Sequence, residues 1–269
     1  MLKDITLGQY FPGNSVIHRL DPRTKLIVLV VYMVTLFVAS GWVSYGVLLL
    51  FLLTVIKISA IPGKSIVRGM KPLVMILVFT GVLNLFFNKD GRVLVDFWGI
   101  TITTGGAERA AFMLVRILML VTATFLLTYT TSPIRLTDGL ESLLGPLKKL
   151  KVPVHELAMM MSIALRFIPT LIEETDKIIS AQKARGANFD DGNLFQRAKA
   201  MVPLLVPLFV SSFRRADELA TAMECRCYHG GQGRTKLHQL HYHRRDAIAM
   251  LCCILLFSGV VVAARGCGL

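Results

Sequence analysis

The feature that most restricts this chain is a run of 31 residues, Leu26 to Ile56, without a single charged side chain. As one helix it would reach about 46 Å, far beyond a hydrocarbon core of about 30 Å. Its middle holds Ser40-Gly41-Trp42, with Gly46 shortly after, a composition that suits tight breaks and an interfacial aromatic. The run reads as two short membrane spans in a hairpin. Composition agrees, because only 17% of the 269 residues are charged and 54% are hydrophobic. Soluble domains carry about 25% charged residues, so a soluble domain, a disordered chain and a small disulfide scaffold are excluded.

Further spans follow from the same reasoning. Between Lys57 and Lys71 come Lys57, Lys64, Arg68 and Lys71 with no acid, which marks a cytoplasmic loop under the positive-inside bias. A third span runs from Pro72 to about Phe87. The connector 88–109 balances Lys89, Arg92 and Arg109 against Asp90, Asp96 and Glu108, and is expected outside. A fourth span covers about Ala110–Thr131 and carries one charge, Arg116, either a functional intramembrane group or a side chain that snorkels to the outer interface. The last apolar run, Ala247–Ala264, makes five spans, with the N-terminus inside and the C-terminus outside. No cleavable signal peptide is expected, since Lys3, Asp4, Arg19, Asp21, Arg23 and Lys25 leave no apolar core in the first 25 residues.

Residues 132–246 differ in kind. They hold 17 Lys+Arg and 12 Asp+Glu, interleaved with apolar residues at helical spacing. The expected division is therefore 1–131 with four spans, 132–246 as a cytoplasmic coupling domain, and 247–269 as the last span. Three helices are predicted in the insertion: about Leu136–Leu150, about Val154–Ala184 and about Leu194–Met223, the last bent in its first half by Pro203 and Pro207. The 14 uncharged residues Ala200–Phe213 are too short to cross and suit a buried or interfacial segment.

The two long helices carry apolar stripes at i, i+3, i+4 spacing. The first includes Leu157, Met160, Met161, Leu165, Ile168 and Leu171. The second includes Val202, Leu205, Val206, Phe209, Val210 and Phe213. Such stripes ordinarily pack against each other; they can also lie under the bilayer or receive another protein. Methionines at 159–161, 201 and 223 suit a surface that repacks against different partners. Each helix also ends on an arginine between small residues, Ala184-Arg185-Gly186 and Cys225-Arg226-Cys227. An arginine there either satisfies its own terminal carbonyls or offers its five donors to a docked surface. One such arginine would favour the local role; two in one chain suggest two similar docking events and make docking competitive with it.

These segments resemble the transmembrane T component of energy-coupling factor (ECF) transporters over nearly the whole chain. The resemblance is carried by Ile17-His18-Arg19-Leu20-Asp21-Pro22-Arg23-Thr24-Lys25 before the first span, by Ala184-Arg185-Gly186 and by Cys225-Arg226-Cys227 within Ala222-Met223-Glu224 and Tyr228. It departs from the family at Cys225 and Cys227, where Ala and Gly are usual. Cys227 puts a Cβ at a position expected to be a left-handed helix cap.

The resemblance implies an all-α polytopic protein with five spans and three cytoplasmic coupling helices in the cell membrane. It implies docking of Ala184, Arg185, Gly186, Cys225, Arg226 and Cys227 on two ABC-type ATPase subunits, identical or not. It also implies a small membrane-embedded substrate-binding (S) subunit facing Met160, Met161, Leu165, Ile168, Leu205, Phe209 and Phe213. The role implied is energy coupling in uptake of vitamins or other micronutrients, with ATP and Mg bound by the partners and no cofactor or catalysis in this chain. A subunit dedicated to one cobalt, nickel or biotin system is the narrower form.

Three other classes are weighed against it. A membrane-embedded enzyme lacks converging ionisable groups, and neither Gly-x-Ser-x-Gly nor His-Glu-x-x-His occurs. Gly230-Gly231-Gln232-Gly233-Arg234 lacks the ending and preceding strand of a phosphate loop. Cys225, Cys227, His229, His238, His241 and His243 invite zinc, but no Cys-x-x-Cys pair is present and Arg and Lys surround them. A stand-alone carrier would place polar groups at mid-membrane, where little beyond Arg116 and Asn84 is available. The excess of +13, which on a soluble chain would suggest nucleic acid, is mostly topology here.

Overall fold

A computed structural model describes residues 10–87, 93–97, 100–187, 189, 193–230 and 239–266. Lys3, Asp4, Lys89, Asp90, Arg92, Asn188, the 231–234 stretch, His238 and Cys267 lie outside them. The described chain is helical apart from one short hairpin. Helices α1 (Pro22–Val38), α2 (Gly41–Ser59), α3 (Gly63–Met70) and α4 (Val74–Phe87) are followed by antiparallel strands β1 (Val93–Phe97) and β2 (Ile100–Thr103). Then come α5 (Thr104–Thr130), α6 (Pro133–Leu143), α7 (Val154–Ala184), α8 (Leu194–Cys225) and α9 (Arg244–Gly266). They form two compact units: residues 140–239, and the described residues up to Gly139 with those from Leu240 onward.

In the second of these, the membrane unit, helix ends follow local chemistry. Asp21 caps α1, its Oδ1 accepting the Arg23 N–H at 2.9 Å, with Pro22 in the first turn. The break between α1 and α2 falls at Ser40-Gly41 as expected, and Gly41 has φ +82°, open to glycine at no steric cost. Gly46, expected as a second break, lies inside α2 instead; hydrogen bonding on both sides carries the helix through it. The basic 57–71 segment is not simply a loop: it contains the end of α2 and all of α3. Thr103 caps α5 by accepting the Gly106 N–H at 3.2 Å.

The core of this unit joins α1, α2, α5 and α9 through Tyr32, Leu36, Leu48, Leu52, Met119, Ala123 and Val260. A smaller cluster, Ile61, Ile66, Leu126 and Tyr129, seats α3 on α5. Arg116 sits level with the tip of the α1–α2 hairpin: its Nε donates to Tyr45 Oη at 2.8 Å and its guanidinium lies over Phe37 and Tyr45. Its charge is thus stabilised by aromatic faces near that end.

Among the described residues, five helical segments are long and apolar enough to cross a membrane: Gly41–Ser59, Gly63–Phe86, Thr104–Thr130, Val154–Ala184 and Arg244–Ala263. The number is as expected, but the membership differs. α1 has 17 residues, about 25 Å, because Pro22 and Gly41 bound it closely. α7 qualifies because its charges are sparse at one end. The predicted helix Leu136–Leu150 is also divided, into α6 and a 3-10 turn at Gly145–Leu150. Pro146 cannot donate to the helical ladder there.

Candidate functional site

The unit of residues 140–239 is dominated by α7 and α8, of 31 and 32 residues. Both run through internal prolines, Pro169 in α7 and Pro203 and Pro207 in α8. They meet through polar side chains. Glu174 Oε2 accepts from Arg215 Nη2 at 2.9 Å, Ser211 Oγ donates to Glu174 Oε1, and Gln182 Nε2 donates to the Pro203 carbonyl at 3.4 Å. The paired positions rise on α7 as they fall on α8, so the helices meet antiparallel. These contacts run from Glu174 to Gln182, about 12 Å of the length of α7.

That meeting uses the wrong side of α8 to cover its apolar stripe. At 3.6 residues per turn, Ser211 and Arg215 fall about half a turn from Val202, Val206, Phe209 and Phe213. Those four residues are all exposed, Phe213 at 73%. Among the residues expected to face a substrate-binding subunit, Met160, Met161, Leu205, Phe209 and Phe213 are exposed, while Leu165 and Ile168 are half-buried. Val154 and Ala158 at the start of α7 are buried.

The two arginine tips are built alike. At the end of α7 the Gly186 N–H donates to the Lys183 carbonyl at 3.0 Å and the Ala187 N–H to the Gln182 carbonyl at 3.0 Å. At the end of α8 the Cys227 N–H donates to the Glu224 carbonyl at 2.8 Å and the Tyr228 N–H to the Met223 carbonyl at 3.0 Å. Each is an i→i−3 bond followed by an i→i−5 bond around a left-handed residue, the closure of a Schellman motif. The left-handed positions are Gly186 at φ +86° and Cys227 at φ +57°, so Cys227 takes the glycine role that its place in the sequence predicts. Backbone donors thereby satisfy the terminal carbonyls. Arg185 and Arg226 are exposed, and neither side chain makes a hydrogen bond or ion pair among the described residues. Cys225 and Cys227 are exposed free thiols.

The Ile17–Lys25 segment has a definite task in the membrane unit. Lys25, 8% exposed, donates from Nζ to the Thr130 carbonyl at 2.9 Å, Thr131 Oγ1 at 3.1 Å and the His18 carbonyl at 3.4 Å. Asp246, 2% exposed, accepts the Asp21 N–H on Oδ1 and the His243 N–H on Oδ2, both at 2.8 Å. The start of α1 is therefore fastened to the end of α5 and the start of α9. His18 is positioned by Ser15 Oγ against Nδ1 at 2.7 Å and the Phe11 carbonyl against Nε2 at 3.0 Å; burial is the main cause that lowers its pKa, the Phe11 bond opposes this, and the Lys25 charge adds to it. Sequence reasoning missed Asp246. Its signal was an acid in the first turn of an otherwise apolar helix. Among the described residues no three His, Cys, Asp or Glu side chains gather as a metal site.

Comparison with known proteins matches these elements. The family model described as "Cobalt transport protein" (CbiQ) covers residues 13–237. The chain is 54% identical to the energy-coupling factor transporter transmembrane protein EcfT of Thermosediminibacter oceani, over 97% of this chain and 98% of that one. It is 47% identical to EcfT of Bacillus subtilis, over 95% and 97%. It is 48% identical to EcfT of Bacillus selenitireducens over the full length of both. With the helical membrane unit, the two long amphipathic helices and the paired arginine tips, these matches place the chain in the CbiQ/EcfT family, the energy-coupling transmembrane subunits of ECF transporters.

Proposed function

We propose that Arg185 and Arg226 each dock one ATPase subunit, and that α7 and α8 carry the motion of those subunits to a membrane-embedded substrate-binding subunit. The observation that carries this reading is the repeated tip: two helices end in the same backbone closure, and each presents an arginine without a partner among the described residues. A guanidinium with all five donors free is suited to a groove lined by carbonyls and carboxylates. The small neighbours Ala184, Gly186, Cys225 and Cys227 let another backbone come close.

ATP and Mg2+ belong to the partner subunits in this reading, and the chain performs no chemistry of its own. When the ATPases close and open, the tips move with them. Because α7 and α8 touch over a short stretch, tip movement changes the angle between them. The uncovered face around Met160, Met161, Leu205, Phe209 and Phe213, flanked by Leu165 and Ile168, then shifts beneath the substrate-binding subunit, which topples to release a vitamin or other micronutrient inside. Residues 132–246 and the N-terminus lie in the cytoplasm and the C-terminus outside, the arrangement favoured by the basic segments. In this reading α7 lies outside the bilayer despite its length: its Glu174 and Gln182 are engaged by α8, and charged residues line its second half.

The test is recovery of the ATPases with the tagged chain in mild detergent, together with ATP-driven uptake. Removing one charge-assisted contact at a docked surface costs about 2–5 kcal/mol, so Arg185→Ala with Arg226→Ala should lower recovery by more than about tenfold. Unchanged recovery and uptake in the double variant would overturn the docking role.

A further inference from the structure

The membrane unit holds a feature that energy coupling does not use, a partly open apolar cavity of about 250 Å3 bounded by α1, α2, α5 and α9. Val28, Tyr32, Leu52, Val55, Leu127 and Cys252 are among its walls. At one end the lining turns basic with Lys25 and Arg245. Arg245 also borders a second concavity, lined by Arg19, His243 and Arg244 besides itself.

The charges at that end are unbalanced. Arg19, Arg244 and Arg245 are exposed, and none of their side chains makes a hydrogen bond or ion pair among the described residues. The nearest acids by connectivity are already engaged: Asp246 accepts two backbone N–H groups, and Asp21 caps α1. An apolar slot ending in three free guanidinium groups is complementary to an amphiphile with a long hydrocarbon chain and an anionic head. A phosphate diester fits the planar forks of arginine, and basic pockets between membrane helices attract anionic lipid head groups.

We propose that this is a binding site for one anionic glycerophospholipid, with an acyl chain in the slot and its phosphate held by Arg19, Arg244 and Arg245. A bound lipid would bridge the start of α1 and the start of α9 at the point where Asp21 and Asp246 already join them, adding to that joint. Only the leaflet named for the head group, the cytoplasmic one, rests on the orientation proposed above. The remainder rests on the membrane fold.

Native mass spectrometry of the delipidated full-length chain, titrated with dioleoyl phosphatidylglycerol or dioleoyl phosphatidylcholine, tests this. Phosphatidylglycerol should give a single saturable adduct and phosphatidylcholine none that saturates. Arg244→Gln with Arg245→Gln should weaken the adduct roughly thirtyfold, from about fivefold per basic residue, and the paired Lys variants should retain most of it. Ala249→Phe, which fills the slot without changing charge, should also abolish the adduct. Equal retention of both lipids, unchanged binding in the Gln variant, or displacement of the lipid by an equal concentration of glycerol phosphate would each overturn the proposal. Lipid adducts do not depend on Arg185 or Arg226, so the failure of ATPase docking and the failure of this site read separately.

Discussion

In the membrane unit, α2 and α9 each bury one side in the core, through Leu48 and Leu52 and through Val260, and expose a broad apolar side, with Val43, Val47, Leu50 and Leu53 on one and Ile248, Leu251, Leu255 and Val262 on the other. In the other unit, exposure of large apolar side chains on α8 gathers on one stripe while Arg215 and Ser211, on the opposite side, hold α7. A broad apolar side along a helix with almost no charge is matched by lipid, a solvent without direction. A single exposed stripe backed by charge is matched by another protein surface. The two regions thus leave similar residues uncovered for different neighbours. Stability follows the same division: among the described residues the fully buried apolar clusters lie in the membrane unit, whereas on the side of α8 that holds α7, Leu204, Leu208 and Leu219 are only half-buried beside Ser211 and Arg215.

The comparison can be broken most directly at Asp246. Asp246→Ala leaves two backbone N–H groups, those of Asp21 and His243, without their acceptor. A loss of about 3 kcal/mol is expected at roughly 1.5 kcal/mol per charge-assisted bond, read as a lowered unfolding midpoint of the detergent-solubilised chain. A midpoint equal to wild type would mean that the α1–α9 joint does not stabilise the membrane unit.

A smaller effect of opposite sign is expected at the second arginine tip. Cys227→Gly removes a Cβ from a left-handed residue and should stabilise the end of α8 by about 1 kcal/mol. Hydrogen exchange of the last turn of α8 measures it, and faster exchange in the variant would contradict the strain. Gly186→Ala at the matching position of α7 should do the reverse by a similar amount, although open space surrounds that glycine.

Acid should act on the membrane unit more gently. His18 is lowered from its usual value of 6.5 by burial, so the folded chain prefers it neutral. Its contribution is complete above pH 6.5 and is lost as pH falls below that value toward the lowered folded pKa. His18→Gln should therefore flatten the decline of the unfolding midpoint below pH 6.5, and an identical slope in both proteins would remove His18 as the cause. The weakest effect on stability belongs to the exposed stripe: Phe213→Ala should change the midpoint by less than about 0.5 kcal/mol, while recovery of a substrate-binding subunit falls. A large stability loss would show that the stripe packs within the chain after all.

Much of this was legible residue by residue. Ser40-Gly41 marks the first hairpin, Asp21-Pro22 opens α1, and Ala184 and Cys225 end the long helices where expected, because caps and apolar periodicity act over a few residues. The family was legible from the two arginine tips, and the left-handed state of Cys227 followed from glycine's usual place there. Gly46 and Pro146 were misjudged in opposite directions, one carried through a helix and the other dividing one, since propensity alone does not say which hydrogen bonds the surroundings will keep.

The sequence by itself determined the helical membrane character, the basic segments between spans and the repeated arginine tips, all of which depend on neighbours within a turn or two. Only the tertiary structure decided that Asp21 and Asp246, 225 residues apart, share a hydrogen bond, that Lys25 fastens α1 to the end of α5, and that α8 turns Ser211 and Arg215 rather than Phe209 and Phe213 toward α7. Pairings of that kind depend on which helices come together in space, and no local pattern encodes the partner of a buried charge.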